Sequence, residues 1–157
     1  MEVNDKVVYA ALVVLMMLAT LSVVLVYSGL SASYVDEREA SHEYTVEGTL
    51  DGDACTGAGT SEYVPETTAG RLYEFSFTIS SEQKTIDLEF GMAFDTEDTP
   101  LSSLYECIGT GTVDGVAVTI WYCEDNGAEY TFYVGELCTV QRVTIESSGY
   151  SVTGYIV

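Results

Sequence analysis

The chain has 157 residues, 25 of them acidic and 5 basic, for a net charge of −20. Such a protein lacks the positive footprint that neutralises phosphates, which excludes nucleic-acid binding and argues against docking onto anionic lipid. The length allows one ordinary domain plus an extra segment.

A short polar tail, MEVNDK at 1–6, is followed by VVYAALVVLMMLATLSVVLVY at 7–27, which holds no charged residue. As a helix rising about 1.5 Å per residue, this run spans roughly 30 Å, the hydrocarbon thickness of a bilayer. It predicts one N-terminal transmembrane helix with the lipid bilayer as its partner. The run exceeds the apolar core of a cleaved secretory signal and lacks the polar stripe of a buried soluble helix. Residues 28–43 read as a polar tether that includes His42, the one histidine.

All four cysteines, Cys55, Cys107, Cys123 and Cys138, follow the helix. An even set in a small β-rich domain is the pattern of an oxidising compartment. The expected topology is therefore a single-pass cell-membrane protein, N-terminus inside and C-terminal domain outside. None of the spacings supplies a zinc knuckle, so disulfides are expected. A hairpin turning at Asp114-Gly115 would bring Cys107 beside Cys123, one residue out of opposition, leaving Cys55 for Cys138.

From Tyr44 the period changes to two. In RLYEFSFTI the residues Tyr73, Phe75, Phe77 and Ile79 alternate with polar ones, and in KTIDLEF so do Ile86, Leu88 and Phe90. Further runs lie at 44–50, 112–123, 129–134, 137–146 and 150–157. The fold expected over 44–157 is all-β, an antiparallel sandwich or partly open barrel of about seven to nine strands.

Two stretches echo one another: GTLDGDACT at 48–56 and GTVDGVAVT at 111–119. Each centres on Asp-Gly, a pair suited to a two-residue hairpin turn, so the repeated object is a hairpin. It suggests two related halves, 44–104 and 105–157. A third turn, Asn126-Gly127, would set Cys123 opposite Tyr130 and Trp121 opposite Phe132, making an aromatic ribbon.

Candidate chemistry is sparse. Acidic groups at Asp51/Asp53, at Asp95/Glu97/Asp98 and at Glu124/Asp125/Glu129 offer oxygens for a cation but lack calcium-loop spacing, and read as solvated loops. His42, in the tether, stands apart from any nucleophile of the domain. No phosphate loop, nucleotide fingerprint or zincin motif is present. No metal, cofactor or catalytic residue is expected, and the chain reads as a non-enzyme. Tyr63, Tyr105, Tyr122 and Tyr133 offer a tyrosine strip for carbohydrate or a protein partner.

The segment GAEYTFYVGELCTVQRVTI at 127–145 resembles paired strands of the half-barrel carriers that move lipoproteins across the bacterial periplasm. That resemblance implies a concave apolar sheet able to hold an acyl chain. An apolar N-terminal helix before a β domain also resembles pilin-like filament subunits, although MEVNDKVVYA lacks their basic leader and cleavage site. The expected function is thus binding, or a structural role, by a surface-exposed domain. A filament subunit and a lipid or hydrophobic-ligand carrier are the alternatives.

Overall fold

A computed structural model describes residues 36–65 and 70–157. The expected membrane helix lies outside the described residues, and among these no helix is long and apolar enough to cross a membrane. The chain divides into two units, 1–36 and 37–157, and the second is the β domain.

Among the described residues nine strands build it: β1 (His42–Leu50), β2 (Asp53–Val64), β3 (Arg71–Ser80), β4 (Thr85–Phe94), β5 (Glu106–Val113), β6 (Val116–Asp125), β7 (Ala128–Val134), β8 (Val140–Ser147) and β9 (Tyr150–Ile156). They form one antiparallel sheet in the order β4-β3-β2-β1-β9-β8-β7-β6-β5. The all-β expectation holds, but as a single open sheet whose two edges, β4 and β5, do not pair.

Three two-residue hairpins fix the registers. Asp51-Gly52, Asp114-Gly115 and Asn126-Gly127 all take positive φ at both positions (52° and 90°, 49° and 84°, 51° and 79°), the requirement of a type I′ turn. Both copies of the repeated motif are therefore hairpins, one at the centre of the sheet and one at its edge. Trp121 lies opposite Phe132 and Cys123 opposite Tyr130, as the Asn-Gly turn implies. His42 belongs to β1, opposite Ser61, so the strand begins inside the segment read as tether.

The core lies on one curled face. Tyr44, Phe75, Phe77, Ile79, Met92, Phe94, Phe132, Val143, Ile145 and Val152 are all at most 2 % exposed. Burying each such side chain contributes about 1.5–3 kcal/mol. The curl brings edge strand β4 over β7: the Phe90 ring stands 5.4 Å from Tyr130 and 6.2 Å from Phe132. Glycines make the curl possible. A Cβ at Gly59 in β2 would lie 2.0 Å from the Phe77 ring, and one at Gly154 in β9 would lie 2.7 Å from it. Phe77 thus crosses the faces of two strands that leave it room, with bulky residues from one strand filling the place of side chains missing from others.

The segment after β4 folds back along that strand. Pro100 bridges Phe94, the Leu101 amide donates to the Ala93 carbonyl, and the Tyr105 hydroxyl accepts from the Ala93 amide. At the same end of the sheet Asp98 pairs with Arg71 and, at 2.8 Å, with Arg38. The Tyr73 hydroxyl donates to the Arg38 carbonyl, tying the 3-10 turn Glu37–Glu39 to the sheet.

Candidate functional site

Because β4 and β5 do not pair, the sheet leaves a seam, and a cleft of about 330 Å³ opens there. Phe90 and Gly91 of β4 form one wall, Tyr130 and Phe132 of β7 the other. Leu104 and Tyr105 cross from the returning segment, and Cys123, Glu124 and Asp125 come from the end of β6. The alternation of β4 and β7 places the rings inward. The Asn126-Gly127 turn, by ending β6 at Asp125, places that carboxylate at the rim.

Tyr105 is the crossbar. It is buried, its ring meets Phe132 edge-on at 5.9 Å, and its hydroxyl also donates to the Gly91 carbonyl at 3.4 Å. Burial raises its pKa, the hydrogen bond with the Ala93 amide partly offsets this, and the charges of Cys123 and Asp125 add smaller increases. Burial pushes the Cys123 thiol up to about 11, with Asp125 adding to the shift. Tyr130 is raised by burial first and then by its neighbours Tyr150, Asp125 and Cys123. Asp125 therefore acts electrostatically on three groups lining the cleft. At neutral pH Cys123 is a protonated thiol, a poor nucleophile and a poor metal ligand. The arrangement suits holding an apolar body with a positive end: rings attract a cation through their faces, and the Asp125 carboxylate complements it.

The other sequence candidates are dispersed. Asp98 is engaged by two arginines, and the Asp95 carboxylate accepts from the Glu97 and Thr99 amides, so that run caps its own loop. Asp51 pairs with Lys84 at 2.9 Å. Among the described residues no group of three or more acidic, histidine or cysteine side chains is placed to hold a metal. The tyrosine strip is not assembled. Tyr105 is in the core, Tyr63 packs on Tyr73 at 5.8 Å, and the Tyr122 hydroxyl donates to Glu124 on the outer face. His42, opposite Ser61 on β1, is not among the residues that line the cleft, and its pKa is lowered by burial.

None of the four cysteines is bridged to another in this structure. A bulge between Cys107 and Gly109 sets Cys107 opposite Trp121, so Cys107 and Cys123 are diagonal neighbours two residues out of opposition. Cys55 pairs Gly48 near the Leu50 end of β1, whereas Cys138 lies beside Asp98 and Tyr73 at the other end. The expected bridges, Cys107 to Cys123 and Cys55 to Cys138, are thus both out of register in this fold. Sequence spacing could not show this, because the bulge and the end-to-end separation are properties of the assembled sheet. The cleft itself was missed for the same reason, although the Cys123/Tyr130 opposition that contributes to its lining was readable from the Asn-Gly turn.

No family model matches the chain, and no curated protein matches it. Among solved structures the chain is similar to the crystal structure of LprF from Mycobacterium bovis. The identity is 9 %, the likeness covers 76 % of this chain and 86 % of that one, and the TM-score is 0.34.

Proposed function

We propose that this protein is a membrane-anchored binding domain displayed outside the cell, and that its seam cleft holds a small amphipathic organic cation. The observation that carries the reading is the cleft: aromatic walls from Phe90, Tyr130 and Phe132 with the Asp125 carboxylate at its rim. The apolar run at 7–27 supports an anchor, and the acidic composition supports a solvated extracytoplasmic surface. A hydrophobic-ligand carrier is the second reading, favoured by the same apolar walls. The volume, at the low end of ligand pockets, admits part of an acyl chain at most, since aromatic side chains fill the rest of the concave face.

Calorimetric titration of the full chain in detergent with phenethylammonium and with phenylacetate tests the proposal. The ammonium should bind in the high-micromolar range and the carboxylate not at all. Asp125→Asn should weaken the ammonium roughly fivefold, the share of one partly exposed charge. Equal binding of the two would sink the cationic reading. Binding of a fatty acid that Phe90→Ala abolishes would favour the carrier instead.

A further inference from the structure

The two edges of the sheet differ. Strand β4 is guarded in the ways natural edges are: its Phe94 end is covered by the returning segment, and its remaining stretch carries Asp87 and Glu89. Strand β5 is less guarded: no segment covers it among the described residues, its one charge, Glu106, is its first residue, and its one irregularity is the bulge between Cys107 and Gly109. Its residues 106–112 are not buried on either face, the seven residues from Cys107 to Val113 carry no charge, and Ile108 is 55 % exposed. Neighbouring Leu104 is 57 % exposed.

The turn decides which backbone groups this edge offers. A type I′ turn joins its first and fourth residues, here Val113 and Val116, by hydrogen bonds. Pairs along an antiparallel ladder alternate, so Gly111 with Val118 is a bonded pair, whereas Thr110 and Thr112 direct their N–H and C=O groups away from β6. Such a row is a template for another strand.

We propose that the outer edge of β5 docks an extended segment of a partner protein: about seven uncharged residues with basic residues at both ends. The framing charges specify this occupant. Glu106 and Asp114 flank the uncharged stretch, and beside Glu106 the outer face also carries Glu124 and Glu129, both hydrogen-bonded by the Tyr122 hydroxyl. A second copy of this chain fits poorly. Antiparallel pairing of β5 with its own copy about Thr110 would oppose Glu106 to the copy's Asp114 at both ends, between two bodies each of charge −20. A partner with lysine or arginine at those positions converts both repulsions into attractions.

The test uses the full chain in detergent and three labelled nine-residue peptides followed by fluorescence anisotropy. One has lysines flanking seven threonine and valine residues, one has glutamates in place of the lysines, and one has the lysines with a central proline. Only the first should bind. Thr110→Pro, which removes an outward amide and spares the β6 ladder, should weaken it roughly fivefold or more. The double variant Glu106→Lys/Asp114→Lys should lose the lysine peptide and gain the glutamate one, which keeps the proposal testable should Thr110→Pro not fold. Equal binding of the proline-interrupted peptide, or an unchanged double variant, would overturn it. A dimer of the chain that Thr110→Pro disrupts would overturn it too, by assigning the edge to a second copy.

Discussion

Adding one methyl group at Gly154 should destabilise the native protein and stabilise a variant in which Phe77 has been shortened. Gly154 has ordinary extended backbone, so alanine there would gain about 0.4–1 kcal/mol by restricting the unfolded chain. Against that gain, the new Cβ would stand 2.7 and 2.8 Å from two atoms at the far end of the Phe77 ring. The ring cannot step aside, because it is 0 % exposed and walled by Tyr44 at 5.6 Å, Phe90 at 5.1 Å and Phe75 at 6.4 Å. Overpacking of this kind costs about 1–3 kcal/mol, so the net effect of Gly154→Ala should be a loss of about 1–2 kcal/mol. Phe77→Leu removes the two clashing ring atoms at its own cost of about 1–1.5 kcal/mol. In that background Gly154→Ala should gain about 0.5–1 kcal/mol, a coupling of roughly 2 kcal/mol between the sites. Urea unfolding followed by the fluorescence of Trp121, with circular dichroism as a second probe, gives all four stabilities; each kcal/mol also moves Tm by about 4 °C. Additivity within about 0.5 kcal/mol would refute the packing argument.

Other consequences follow from particular groups. Burial, offset slightly by a hydrogen bond with Ser61, raises the Tyr44 pKa to about 12, and its hydroxyl donates to the Val140 carbonyl at 2.8 Å. Because the folded value lies above the ordinary 10, the contribution is complete below about pH 10 and is lost as pH climbs towards 12, about 2–3 kcal/mol in all. Tyr44→Phe should be less stable at pH 8 by about 1–2 kcal/mol and should lose that part of the alkaline slope in urea midpoints. Maleimide labelling of the native chain should modify exposed Cys107 first and reach buried Cys55 and Cys138 only on unfolding, read by mass spectrometry of digested fragments. A Cys107 that labels only after reduction would show it bridged. Tyr105→Phe should cost about 1 kcal/mol and speed hydrogen exchange at the Ala93 amide, which loses its hydroxyl partner.

The sequence by itself determined the local architecture. Alternation marked β3, β4 and β7, and three Asp-Gly or Asn-Gly pairs, which tolerate positive φ, determined three hairpins and their registers. These signals are local, since each depends on residues within one strand or turn. Strand β2 was not legible, because its core-facing positions include Gly59, left small so that the Phe77 ring can lie across it, and Gly57, where a Cβ would meet the β3 backbone at Thr78. Where one strand supplies the side chain that fills another's place, neither strand alone shows the pattern. Tertiary structure alone decided that the sheet stays open, that β4 curls onto β7 to make a cleft, and that Cys55 and Cys138 stand at opposite ends. These are outcomes of long-range packing, where the curl permitted by a few glycines sets which distant residues meet. The same packing leaves β5 as a bare edge, although its run of glycine and threonine reads in sequence like any exposed hairpin.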